Sequence, residues 1–187
     1  MKVAVFCGSS LGHSKVYERA VAELGAFFAE NGIEVVYGGG HVGLMGVIAN
    51  AVLAAGGKVT GVIPTHLEQR EIAHPSLTEL HVVTDMHERK AKMADLADAF
   101  VALPGGVGTL EEIFEVYTWA QIGLHKKPCA FYNVDGYYDL MFEMIVSMHR
   151  EGFVKKPYVD MLIKESQPDG LLRAFEDYVA PQEKWNS

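Results

Sequence analysis

Pro104 to Glu112 reads PGGVGTLEE, between the apolar run Ala99 to Leu103 and the amphipathic segment Thr109 to Ile122. The apolar run reads as a buried strand. The segment behind it carries Leu110, Ile113, Phe114 and Tyr117 as an apolar stripe at helical spacing. A strand that hands over to a helix through glycines is a phosphate cradle by construction. Gly105, Gly106 and Gly108 are expected to take φ > 0 and let the backbone approach a ligand, while the first N–H groups of the helix face the anion. Glu111 and Glu112 follow at once, where an anion binder alone would not need them.

The same alternation extends in both directions. Strand-like runs occur at Lys2 to Cys7, Ile33 to Tyr37, Lys58 to Ile63, Leu80 to Val83, Ala99 to Leu103 and Pro128 to Tyr132. Helical segments read as Ser14 to Glu30, Leu44 to Ala55, Met86 to Ala97, Thr109 to Ile122, Tyr137 to Arg150 and Asp169 to Tyr178. This order predicts an α/β fold: a doubly wound, mostly parallel sheet with helices on both faces. One domain is expected over residues 1–187, its tail frayed after about Ala180. Ligands of such sheets bind beyond the carboxyl ends of the strands, where strand order reverses. Cys7 to Ser10, Gly38 to Gly46 and Pro104 to Thr109 all follow strands and belong on that edge. Pro64 to Thr78 is too long for a tight turn and reads as a functional or flexible loop.

Composition narrows the partners. A chain of 187 residues with 49% hydrophobic content suits one domain burying roughly 70% of its unfolded surface. A net charge of −8 argues against nucleic acid, which needs a basic surface to replace counterions. No run is long and apolar enough to span a membrane, and MKVAVFCGSS lacks a signal peptide's apolar stretch, so a soluble cytoplasmic protein is expected. Cys7 and Cys129 lie in strand-like runs and read as buried free thiols. The histidines show no short metal spacing and CxxC is absent, so no metal is expected.

GGGHVGLMG, Gly38 to Gly46, contains GxGxxG after a strand and before a helix. A dinucleotide site also needs an acidic residue about 20 positions on, for the ribose hydroxyls. No Asp or Glu occurs between Glu34 and Glu68, which argues against NAD or FAD. The remaining reading is a turn chosen for close helix-to-sheet packing, compatible with a nucleotide lying across it. GxxxxGK[ST] is absent, which sets a P-loop aside.

Two helix starts carry the candidate chemistry. Thr109-x-x-Glu112 has the form of a capping box, which would give Glu112 a structural duty. Asp85-x-x-Glu88 marks the other start, with Arg89, Lys90 and Lys92 in its first two turns. Cations there oppose the helix dipole. A Glu88–Lys92 pair accounts for Lys92 but not for Arg89, whose planar guanidinium suits two-pronged binding of a phosphate or carboxylate. Glu111, Glu115 and Thr118 share one helix face, and Glu71, beside Arg70, reads from its surroundings as a solvated loop charge.

PGGVGTLEE, GGGHVGLMG, MHERK and the later YTWAQIGLHKKP and NVDGYYD runs, in this order, resemble the LOG, or lonely-guy, family of cytokinin riboside 5′-monophosphate phosphoribohydrolases. The resemblance spans Val3 to about Asp160 and implies a Rossmann-like fold and a homodimer. It further implies hydrolysis of the N-glycosidic bond of a nucleoside 5′-monophosphate, cytokinin precursors and AMP included, to free base and ribose 5-phosphate. Carried to the matching positions, it makes Arg89 and Glu112 catalytic. Gly105, Gly106, Gly108 and Thr109 would hold the phosphate, with Lys90, Glu111, Glu71 and Thr118 at the nucleotide. No cofactor is expected: the label "lysine decarboxylase" given to such sequences would require pyridoxal phosphate on a lysine, and nothing in the sequence identifies one. A prenyl side chain on the base would need an apolar pocket, with Met45 and Met86 as candidates. A nucleotide-binding or carrier protein of the same fold is the competing reading.

Overall fold

A computed structural model describes residues 1–68 and 73–182. The chain runs β1 (Lys2–Phe6), α1 (Lys15–Glu30), β2 (Glu34–Tyr37), α2 (Gly43–Ala54), β3 (Val59–Pro64), α3 (Thr65–Glu68), β4 (Glu79–Val83) and α4 (Met86–Leu96). It continues through β5 (Ala99–Ala102), α5 (Val107–Gln121), β6 (Cys129–Tyr132), a 3₁₀ turn (Val134–Gly136), α6 (Asp139–Arg150), α7 (Lys156–Asp160), β7 (Leu162–Glu165) and α8 (Pro168–Glu176).

Successive strand residues face opposite ways, and here both directions are apolar. In β1, Val3 and Val5 join one buried cluster while Ala4 and Phe6 join the other. Ala99 and Val101 part from Phe100 and Ala102 in the same way along β5. A sheet buried on both faces needs cover on both. Residues of α1, α2 and α8, such as Leu24, Ile48 and Leu171, cover the first face, and residues of α4, α5 and α6, such as Met93, Ile113 and Ile145, cover the second. The doubly wound reading holds.

The strand order is β4-β3-β2-β1-β5-β6-β7, and every pairing is parallel. The chain steps outward from β1 to β4, returns to lay β5 against the free side of β1, and steps outward again to β7. Loops leaving β1 and β5 therefore diverge, and a crevice opens between them. Gly8 N–H donates to Pro104 O at 3.1 Å across its floor.

Three short elements escape the sequence reading. β7 is an edge strand paired only with β6, and its LIKE sequence is half polar because one side meets solvent. α7 has five residues, too few for a helical period to register. α3 occupies the start of the Pro64 to Thr78 loop. Farther along that loop, His74 N–H donates to Gly39 O at 3.0 Å, and Ala73 bridges Gly40. Gln69 to Ile72 and residues 183–187, hence the expected frayed end of the tail, lie outside the described residues. Among the described residues no helix is long and apolar enough to cross a membrane.

The Gly38 to Gly46 segment is a packing device. Gly43 has φ +57°, and a Cβ there would stand 2.2 Å from the backbone carbon of Ser9. A Cβ on Gly46 would stand 2.1 Å from His41 O. This approach lets Leu44 N–H reach Gly8 O at 3.0 Å, so the start of α2 braces the loop after β1. Gly43→Ala combines left-handed strain with a backbone clash, and the expected loss is about 2–5 kcal/mol. Urea unfolding of the variant beside the wild type measures it; a loss below 1 kcal/mol, roughly the cost of the backbone conformation alone, would mean that the loops separate freely.

Candidate active site

The capping-box expectation fails at the start of α5. The helix begins at Val107 with Gly106 at its N-cap, so Thr109 already lies in the first turn and Glu112 is one turn too far along to reach back to the cap. The PGGVGT glycines also differ from expectation, since none of Gly105, Gly106 and Gly108 has positive φ. They provide room. A Cβ on Gly105 would stand 2.1 Å from Thr109 Oγ1 and 2.8 Å from Gly8 N, while Gly106 and Gly108 have nothing within 4 Å of that position. Leu110 N–H makes the first bond back along the helix, to Gly106 O at 3.2 Å. Gly106 has no side chain to cap the N–H groups of Val107, Gly108 and Thr109, which leaves them suited to an anion.

Opposite this end stands α4. Asp85 caps it by accepting from Glu88 N–H at 2.9 Å, and Glu88 reaches back to accept from Thr84 N–H at 2.8 Å and Thr84 Oγ1 at 2.6 Å. These bonds hold both carboxyls below their ordinary values and commit Glu88 to capping. Arg89 is 5% exposed, and its Nη2 donates to Gly38 O at 3.1 Å. A Cβ on Gly38 would lie 1.9 Å from that nitrogen, so the first glycine of GGG clears space for the guanidinium.

Arg89, Glu111, Glu112 and the first turn of α5 line one cavity of about 420 Å³. Cys7, Gly8 and Ser9 form another side, and Met45, Met86 and Leu67 make it partly apolar. Burial, then the charge of Glu112, pushes the Cys7 thiol far up, with Arg89 acting the other way. Cys7, half-buried on that wall, is thereby held in its neutral thiol form.

Lys90 points elsewhere. Its Nζ lies 2.5 Å from Glu111 Oε1 and 3.0 Å from Glu115 Oε2, tying α4 to α5. Burial lowers its pKa, but the two carboxylates more than reverse this and leave it above the ordinary lysine value. Its stabilising effect is thus fully present below the unfolded value of 10.5 and is lost as pH rises through the higher folded one. Lys90→Met should cost about 1–2 kcal/mol at neutral pH, since Glu111 is half exposed and two like charges remain. The gap between wild type and variant should close above pH 10.5; urea titrations at pH 8 and pH 11.5 that gave the same gap would remove the ion pairs as its source.

Of the other predicted residues, Gly105 lies beneath the loop against Thr109, which is 4% exposed. Thr118 is exposed, is not on the cavity wall, and donates to Phe114 O at 2.7 Å along its own helix. Glu71 falls outside the described residues.

Two tyrosines at this edge were not singled out from sequence. Tyr137 OH donates to Gly105 O and Tyr138 OH to Leu103 O, both at 2.6 Å. Tyr137 and Tyr17 meet edge to face and line a second cavity of about 300 Å³ that shares Gly8, Ser9 and Gly106 with the first. Their signal was available: NVDGYYD follows β6, whose carboxyl end shares this edge of the parallel sheet.

A family model described as "Possible lysine decarboxylase" matches residues 45–175. A protein of Arabidopsis thaliana named "Cytokinin riboside 5'-monophosphate phosphoribohydrolase LOG1" is 46% identical over 183 residues, covering 98% of this chain and 86% of its own. The "Cytokinin riboside 5'-monophosphate phosphoribohydrolase LOG" of Oryza sativa subsp. japonica is 46% identical over 182 residues, covering 97% and 75%. Among solved structures, TM1055 superposes with a TM-score of 0.71 at 22% identity, covering 94% of this chain and 98% of that one. The Moco carrier protein of Chlamydomonas reinhardtii gives 0.70 at 19% identity, covering 94% of each. These two likenesses show the fold.

Proposed function

The chain belongs to the LOG family of cytokinin riboside 5′-monophosphate phosphoribohydrolases, and we propose that it hydrolyses the N-glycosidic bond of such nucleotides, and of AMP, to free base and ribose 5-phosphate. The observation that carries this reading is the start of α5. Because the helix begins at Val107, Glu112 lies one turn past the cap, on the wall that also carries Arg89 and the first turn of α5.

Cleavage at C1′ builds positive charge on the ribose. The Val107 to Thr109 amides take the 5′-phosphate, with Gly106 and Gly108 allowing close approach. Glu112 stabilises the cationic sugar and orients a water. The water oxygen bonds to C1′ as the C1′–N bond breaks, and the departing base takes the bonding electron pair and a proton. Arg89, anchored on Gly38 O, fixes the position of Glu112 and balances the charge near the phosphate. Glu111 borders the nucleotide, and Lys90 acts through it. Glu71 is assigned to the nucleotide by the family pattern alone, while Thr118, off the cavity wall, takes no part in this reading. Met45, Met86 and Leu67 suit a prenyl group on the base. Water is the sole co-reactant.

The decarboxylase description fits poorly. The cavity wall carries no lysine among the described residues, and Lys90 has its ammonium held between two glutamates. We also infer a cytoplasmic homodimer; the exposed Leu140 and Met144 on α6 and the nearby Phe153 support self-association. Incubation with AMP and with isopentenyladenosine 5′-monophosphate, followed by chromatography, tests the activity. Release of base with ribose 5-phosphate is expected. Binding without release would favour a carrier, as the Chlamydomonas reinhardtii neighbour is titled.

A further inference from the structure

The geometry points to Tyr137 as a positioning residue that aims the first N–H of the anion cradle. A trans peptide is planar, so the C=O of Gly105 and the N–H of Gly106 point in opposite directions. Tyr137 OH holds that C=O at 2.6 Å from the side of the second cavity, where Tyr137, Gly105 and Gly106 share a wall. The Gly106 N–H is thereby turned away from Tyr137, and Gly106 also lines the first cavity with Val107, Gly108 and Thr109, where in this proposal that N–H meets the anion. Without this bond the peptide can rotate, because neither glycine has a side chain to hold it and Gly106 has nothing within 4 Å of a Cβ position.

The surroundings favour this one function for the hydroxyl. Tyr17 packs edge to face on the Tyr137 ring with centroids 5.6 Å apart, and Tyr138 does so from the other side at 4.9 Å. These contacts place the ring whether or not it carries oxygen. Tyr138 spends its own hydroxyl on Leu103 O, one peptide before Pro104, and is nearly fully buried. The pair therefore divides the work, Tyr138 holding the end of β5 and Tyr137 the orientation of the glycine peptide.

This role rests on the hydrolase reading for its ligand but is tested apart from turnover. Tyr137→Phe removes one oxygen from a side chain that is 43% exposed, and should fold. Calorimetry with ribose 5-phosphate should show a dissociation constant raised about 5- to 10-fold, the net worth of one typical hydrogen bond. KM for AMP should rise to match while kcat stays within about twofold. Tyr138→Phe should lower the melting temperature and leave the ribose 5-phosphate affinity within twofold, which separates aiming of the peptide from general loosening. Equal affinities of wild type and Tyr137→Phe would overturn the proposal, as would equal losses in both variants. Wild type that bound ribose 5-phosphate yet released no base from AMP would end the hydrolase reading, and the two dissociation constants would still decide the role of Tyr137. Wild type that bound no ribose 5-phosphate would end both.

Discussion

Glu112→Gln is expected to fold as the wild type does and to lose about 10²–10⁴-fold in kcat toward AMP, the range for removing a positioned carboxylate that acts in the transition state. The amide keeps the shape and nearly the volume of the carboxylate, and Glu112 lies a full turn past the cap of α5, so the fold should be retained. KM should stay within a few-fold, because in the proposed site backbone N–H groups, not Glu112, take the phosphate. Kinetics and thermal melts on one preparation test this. Wild-type turnover with an intact melt would remove Glu112 from the chemistry. A fall in melting temperature large enough to explain the lost rate would return it to a structural duty.

Gly38→Ala should have the second-largest effect, at a residue outside the cavity wall. The added methyl would lie 1.9 Å from Arg89 Nη2, about 1.5 Å inside ordinary contact. The obstruction is the far end of a long side chain, so the sheet should yield little, with a stability loss of about 1–2 kcal/mol. The guanidinium must move and give up Gly38 O. A shift of an ångström in a positioning group costs about 10²-fold in rate, and kcat should fall by that much. Arg89→Lys, which cannot reproduce the planar fork, should give a similar loss. Activity retained within threefold in Gly38→Ala would show that the position of Arg89 is not critical.

What the sequence made legible follows from the range over which each signal acts. Continuous apolar runs such as Val3 to Phe6 and Ala99 to Leu103 announce a sheet buried on both faces, and the intervening helices follow from their stripes. β7 did not announce itself because Lys164 and Glu165 belong to an edge that water reaches. The beginning of α5 was read two residues late, since Val107-Gly108 looks like loop to any propensity scale. That small error carried the false capping role of Glu112. The ion pairs of Lys90 join residues 21 and 25 positions away on another helix, which helical spacing cannot reveal. Arg89 was singled out by its chemistry; its anchor 51 residues upstream, and the reason Gly38 must be glycine, required the folded chain.

The strand order also sets an order of assembly. All of β1 to β4 is synthesised before β5, and those four strands are contiguous in the sheet, so they can pair among themselves as soon as they emerge. At that stage β1, the central strand of the finished protein, is an edge. The backbone of Val3 to Phe6 that will take Ala99 to Ala102 stands unpaired, an open template for another chain. Arrival of β5 closes that edge and, through the Gly8–Pro104 bond, delivers the glycine loop to its place in the same event. A chain stalled or cut between α4 and β5 would therefore lack the glycine loop and Glu112; it would be an inactive half-sheet prone to stick to its own kind.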